Sequence, residues 1–242
     1  MNTKQCLIKV GGIEVVVFYK NVKNLHLNVL PPIGKVRVSA PIGMSDDAIR
    51  TFLATRISWI KKKQSKFKAQ ERQTPREYIS GESHYYLGDR YKLEVIEQVA
   101  KPNLTIKGKK KFVLSVKPKS SVLYRERVMQ DFYRRELRQV IEPMVIKWQK
   151  QISAEANFWG IRRMKTRWGT CDKKVKRIWF NLELIKKPRS CIQYVVVHEL
   201  LHLIERKHND KFVGLMDKYL PKWKSEIDEL NQLILAHEEW SH

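Results

Sequence analysis

The chain has 242 residues and carries 48 Lys and Arg against 25 Asp and Glu, a formal net charge of +23. Its pI is about 10, so a polyanionic partner such as nucleic acid, a nucleotide or an acidic protein explains the surplus as readily as a solvated surface does. No apolar run approaches the roughly 20 residues that cross a bilayer, which excludes a helical membrane protein. The three cysteines, Cys6, Cys171 and Cys191, share no C-x-x-C spacing, which argues against a disulfide framework and against a cysteine metal site. Residues 1–5 lead straight into a strand pattern without a signal-peptide core, and a cytoplasmic protein is expected.

Residues 7–38 alternate in short apolar runs. Leu7-Ile8-Lys9-Val10, Gly11-Gly12 and Ile13-Glu14-Val15-Val16-Val17-Phe18 read as a hairpin closed by a glycine turn. Leu25-His26-Leu27-Asn28-Val29 and Val36-Arg37-Val38 follow, separated by Pro31-Pro32-Ile33-Gly34, with His26 facing solvent. Ser45-Asp46-Asp47 then opens a helix with a cap and two acids in its first turn. Ile49, Phe52, Leu53, Ile57 and Ile60 form its apolar face. Lys61, Lys62, Lys63, Lys66 and Lys68 make a basic end, which suits a helix C-terminus whether or not it grips phosphate.

Residues 70–83 read as a connector. Tyr85-Tyr86-Leu87-Gly88 and Tyr91-Lys92-Leu93-Glu94-Val95 form a second hairpin, and Lys109-Lys110-Lys111 a turn before Phe112-Val113-Leu114-Ser115-Val116. From Val122 a long helix carries Val128, Phe132, Leu137, Val140 and Ile141 at helical spacing. Pro143 should kink or restart it before it ends near Ala156. Residues 164–172 and 178–182 flank a polar turn at Asp172-Lys173-Lys174 and read as a third hairpin. Two last helices carry Phe212, Leu215, Met216 and Tyr219, then Ile227, Leu230, Leu233 and Ile234. No internal repeat is visible. The expected division is a basic, β-rich N-terminal region with one long helix, residues 1–120, and a metal-binding catalytic region, residues 121–242.

Within that second region stands His198-Glu199-Leu200-Leu201-His202, with a third histidine at His208. Residues four apart share a helix face, so both imidazoles reach one metal ion. Glu199 is rotated away from the ligand position and takes the proton of the attacking water instead. On an unbroken helix His208 would be carried away, so the chain must turn after about Glu205. Asn209 and Asp210 suit such a turn and cap the next helix. Three neutral histidines with an open fourth position make a catalytic zinc site, one Zn2+ per chain. Val195, Val196, Val197, Leu200, Leu201 and Leu203 make this helix apolar nearly all round, hence buried. Unpaired histidines are costly there.

Met164-Lys165-Thr166-Arg167-Trp168-Gly169-Thr170-Cys171, Asn181-Leu182, the H-E-x-x-H run and His208 together resemble the YgjP-like metal-dependent hydrolases, which are grouped with the small zincin-type metallopeptidases. Val36-Arg37-Val38-Ser39-Ala40-Pro41 and Trp59-Ile60 extend the resemblance over most of the chain. It implies an α+β fold: a zincin-like catalytic region with a small antiparallel sheet beside the metal helix, preceded by a β-rich N-terminal region. It implies His198, His202 and His208 as zinc ligands and Glu199 as the catalytic acid/base. Glu205 stands where metzincins place glycine, which fits the YgjP pattern better.

Three functions compete. The first is a zinc metallopeptidase that binds an extended peptide by strand addition along residues 164–172, with Lys165, Arg167 and Trp168 lining the cleft. The second is a metal-dependent nucleoside triphosphate pyrophosphatase, since some relatives have been described as acting on UTP. Three histidines argue against it, because such sites more often use carboxylates and Mg2+. Related zincins act on proteins crosslinked to DNA, so a nucleic-acid-associated protease belongs with the first reading. The third is a basic binding module with a structural metal, which would have no use for Glu199.

Overall fold

Four strands and a helix build the first part of the chain: β1 (Gln5–Val10), β2 (Ile13–Lys20), β3 (His26–Leu30), β4 (Lys35–Pro41) and α1 (Asp46–Ala69). The computed structural model describes residues 5–30, 34–69, 76–164 and 167–232; Pro31-Pro32-Ile33 lie outside them. Gly11 and Gly12 take φ of 56° and 79°, the paired left-handed conformation of a tight hairpin turn. The sheet order is β1-β2-β4-β3, with β2 and β4 parallel between two antiparallel pairs. Strand alternation sends Ile8, Val15, Val17, Val36, Val38 and Ala40 to one face, where they share a core with Ile49, Leu53 and Ile60 of α1. The Ser45 hydroxyl accepts from the Ala48 N–H at 3.3 Å, and Asp46 and Asp47 sit in the first turn, as the sequence led one to expect.

The next part repeats the same plan. β5 (Ser83–Tyr86), β6 (Asp89–Glu97), β7 (Asn103–Lys107), β8 (Lys111–Val116) and α2 (Val122–Ile152) give a sheet ordered β5-β6-β8-β7. Again a parallel pair lies between two antiparallel ones. Leu87 and Gly88, with φ of 50° and 90°, repeat the Gly11-Gly12 turn. One constant spacing separates Gly12 from Gly88, Val36 from Phe112, Val38 from Leu114, and the helix starts Asp46 and Val122. The reading of no internal repeat is corrected: a ββββα plan occurs twice, carried by apolar pattern and turn chemistry, not by identical residues.

The compact units are Met1–Arg72 and Gln73–His242, so the division falls near residue 72 and not at 120. Leu93, Phe112 and Leu114 of the second sheet share one core with Phe132, Tyr133 and Leu137 of α2, which ties that sheet to the catalytic half of the chain. α2 is continuous through Pro143, where a kink or restart was expected. Val140, Ile141, Val145 and Trp148 around the proline are buried, and that packing offsets the lost helical hydrogen bond. Ser121 caps the helix by accepting from the Tyr124 N–H, and Ser153, in the left-handed region at φ 56°, ends it.

β9 (Phe158–Arg162), β10 (Gly169–Asp172) and β11 (Arg177–Asn181) make a third sheet, ordered β10-β11-β9. β10 and β11 form the expected hairpin. β9 runs parallel to β11, so the sheet is mixed and not antiparallel as expected. A 3-10 turn (Leu182–Lys186) and Pro188 lead into α3 (Arg189–Leu201), then α4 (Asp210–Tyr219) and α5 (Trp223–Gln232); Leu233 and Ile234 lie outside the described residues. α3 is buried along its length, with α2, α4, α5, β10 and β11 around it. No described helix is long and apolar enough to cross a membrane.

Candidate active site

α3 stops at Leu201, and His202 caps it with φ −65°. The chain turns immediately, sooner than the expected point after Glu205, through bonds from the Leu203, Ile204 and Glu205 N–H groups to the carbonyls of Leu200 and Leu201. The Asn209 side chain accepts from the Phe212 N–H at 3.1 Å and starts α4, as expected. The early turn brings His208 back over the helix end. The Nε2 atoms of His198, His202 and His208 stand 3.1 Å from one another. Nitrogens held about 2.0–2.1 Å from one ion at near-tetrahedral angles are about 3.1–3.4 Å apart, so the triangle fits a single metal ion.

The surroundings prepare the rings for that role. His202 Nδ1 lies 3.0 Å from the Glu205 carbonyl oxygen, which can only accept, so the proton sits on Nδ1 and the Nε2 lone pair faces the triangle. Burial holds the His202 pKa below its ordinary value, favouring the neutral ring a ligand must be. His198 Nδ1 is 3.4 Å from the Tyr194 hydroxyl. Phe212 packs against all three imidazoles at 4.8 to 5.0 Å between centroids. Sequence reading placed Phe212 in the core; it is buried, and it is also the floor of the site.

Glu199 is 2% exposed. Burial pushes its carboxyl up to about 8, against the opposing pull of the Arg167 charge. It lies against the start of β10: a methyl group added at Gly169 would stand 2.5 Å from Glu199 Cγ and Oε1, so only glycine permits the approach. Cys171, farther along β10, has its thiol pushed up to about 12 by burial and then by the charge of Glu199, which keeps it protonated and unreactive.

The three cleft candidates fare differently. Arg167 is exposed and close enough to Glu199 for its charge to act there. Trp168 does not line a cleft: it is 2% exposed, with the Lys187 ammonium 5.0 Å over its ring, because this large apolar ring belongs to the core. Lys165 lies outside the described residues.

Sequence reasoning gave no role to Asn181, which is buried and fully engaged. Its amide nitrogen donates to the carbonyls of Met164 at 3.0 Å and Arg167 at 2.7 Å. Its Oδ1 accepts from the N–H groups of Met164 at 3.3 Å and Glu183 at 3.2 Å, and its own N–H donates to the Trp168 carbonyl. One side chain thus clasps both ends of the loop before β10, which is why that strand begins at Gly169 and not at Met164. The available signal was an amide closing the apolar run Ile178-Trp179-Phe180, since a buried amide must find partners.

Converging imidazoles, a buried carboxylate beside them and a strand at the edge of its sheet are what a metal-dependent hydrolase requires. The chain belongs to the YgjP-like family, matching its metallopeptidase domain over residues 23–233, and is a metal-dependent peptidase. Among solved structures it is similar to the metallopeptidase zymogen abylysin of Pyrococcus abyssi, at 19% identity and a TM-score of 0.36 over 38% of this chain and 91% of that one. It is also similar to the zymogen jannalysin of Methanocaldococcus jannaschii, at 22% identity and a TM-score of 0.31 over 39% and 89% of the two chains. No curated protein matches the chain.

Proposed function

We propose that the chain is a zinc peptidase in which His198, His202 and His208 hold one Zn2+ and Glu199 is the acid/base. The observation that carries this reading is the 3.1 Å triangle of Nε2 atoms with the buried Glu199 next in sequence to one of its members. Among the described residues, this is the cluster of His, Cys, Asp or Glu side chains able to hold a metal. Zinc, when bound, supplies the Lewis acidity that polarises a scissile carbonyl and acidifies the attacking water. Glu199, whose proton affinity burial has raised, takes the proton of that water and returns it to the departing amine. β10 is an edge strand, and its free backbone groups suit an added substrate strand that runs past Glu199. Arg167, on the clasped loop, offers a positive charge to a substrate carbonyl or acidic side chain there.

Metal analysis beside a panel of peptides and nucleoside triphosphates tests the reading. About one zinc per chain is expected, and His208→Ala should lose it. Glu199→Gln should keep the zinc and lose about 10²–10⁴-fold in kcat. Full zinc affinity in His208→Ala, or zinc loss in Glu199→Gln, would overturn the ligand assignment. Turnover of nucleotides with no peptide cleaved would overturn the substrate class.

A further inference from the structure

One face of the β1–β4 sheet is covered by α1, and the alternate residues point the other way. The strand register sets Gln5, Phe18, Ser39 and His26 in one row across this second face, and Leu7, Val16, Arg37 and Asn28 in the next. Lys9, Lys20 and Lys35 lie on the same face by alternation. The Arg37 guanidinium is 4.8 Å from the Phe18 ring centroid and the Lys20 ammonium 5.8 Å. Leu7 is 64% exposed, so the face is open. Among the described residues, Lys9, Lys20, Lys35 and Arg37 make no ion pair, and Glu14 is the single acid on this face.

The second copy of the plan differs at one matching position. Lys111, which stands in β8 where Lys35 stands in β4, pairs with Glu94 at 3.1 Å, and Lys110 pairs with Asp89 at 2.8 Å. The second copy therefore pairs the lysine that matches Lys35, whereas the first copy leaves Lys35 and the cations around it for a partner. Residues 1–72 hold 14 Lys and Arg against 4 Asp and Glu, so that partner is an anion. An aromatic ring beneath a guanidinium, with an imidazole in the same row, is a stacking surface for unpaired bases. Gln5, Asn28 and Ser39 offer hydrogen bonds to base edges, and the flanking lysines meet phosphates. A duplex hides its base faces, and an acidic protein has no need of the ring.

We propose that the open face of the β1–β4 sheet binds single-stranded nucleic acid, with Phe18 and Arg37 at its centre. The surface belongs to the first compact unit and the metal centre to the second, and its test does not depend on peptide turnover. Fluorescence anisotropy of the full chain with labelled oligo-dT or oligo-U of about 12 nucleotides measures it. Affinity should fall with salt, with a log–log slope of about −0.7 for each phosphate neutralised, and Arg37→Gln should remove about one such increment. Phe18→Ala should weaken binding about 5- to 160-fold, the worth of one stacked base, and Phe18→Tyr should stay within about twofold of the parent. Circular dichroism and thermal unfolding, both expected unchanged, confirm that the variants are folded. Parental affinity in folded Phe18→Ala would overturn the proposal. Equal competition by a duplex or by polyglutamate would overturn it too, by showing a general polyanion or acidic-protein surface.

Discussion

A single methyl group at Gly169 tests how closely β10 and Glu199 are matched. A Cβ there would stand 2.5 Å from Glu199 Cγ and Oε1 and 2.7 Å from Cδ, where unstrained carbon contacts are about 3.5–4.0 Å. The overlap is about 1 Å. Gly169 lies outside the left-handed region, so the effect of Gly169→Ala is steric and not conformational. α3 is buried along its length, so the carboxylate yields sooner than the helix does. Displacing a catalytic group by about 1 Å costs about 10²-fold in rate, or about 2.7 kcal/mol of barrier. Gly169→Ala should therefore bind its full zinc and lose about 10²-fold in kcat with little change in KM. Gly214 of α4 has no heavy atom within 4 Å of its Cβ position. Gly214→Ala should keep full activity and stabilise the fold by about 0.4–1 kcal/mol. Peptide turnover, zinc content and thermal unfolding of the pair are the measurements. Parental kcat in Gly169→Ala would refute the catalytic placing of Glu199, and zinc loss would show that the histidines had moved instead.

Asn181→Ala removes four side-chain hydrogen bonds, each worth about 0.5–1.5 kcal/mol. The expected loss is about 2–6 kcal/mol, which lowers Tm by about 4–24 °C and reduces kcat/KM with zinc retained; a Tm shift under about 2 °C would sink the clasp. His84 is 5% exposed, and burial, helped by the Arg76 charge, lowers its pKa to about 4 although Glu82 pulls the other way. The unfolded ring titrates near 6.5, so the unfolded state takes up the proton first as pH falls. The stabilisation from the neutral ring is whole above about 6.5 and is lost towards about 4, a span worth about 3 kcal/mol. Urea unfolding from neutral to acid pH should show a shallower decline in His84→Gln, and an identical decline would refute the assignment.

The parts of the site that rest on local geometry were legible in the sequence. The four-residue step from His198 to His202 and the Asn209 cap both operate within a turn of helix, and both appear where the sequence puts them. Trp168 and Pro143 were misread because tertiary packing decides them. The alternation around Trp168 reads as a strand, yet four hydrogen bonds made by Asn181, which lies 13 to 17 residues downstream, hold Met164, Arg167 and Trp168 outside β10. The buried side chains flanking Pro143 keep α2 whole. β9 was missed as a partner because its parallel pairing with β11 leaves no turn signal between them.

The duplicated plan also gives a physical reason why the metal centre belongs to the second copy. α1 has 24 residues and α2 has 31. By the spacing that relates the two copies, Val145 of α2 stands where α1 has its last described residue, Ala69. Trp148 and Ile152 lie beyond that point on α2, and both are buried. They belong to the core that also holds Ile192, Val195 and Val196 of α3. A helix as apolar as α3 needs cover on every side, and the last turns of α2 supply part of it. In the first copy the outer face of the sheet is exposed, and Lys9, Lys20, Lys35 and Arg37 on it make no ion pair. The same backbone plan thus packs against the helix of the metal centre in one copy and carries an exposed charged face in the other.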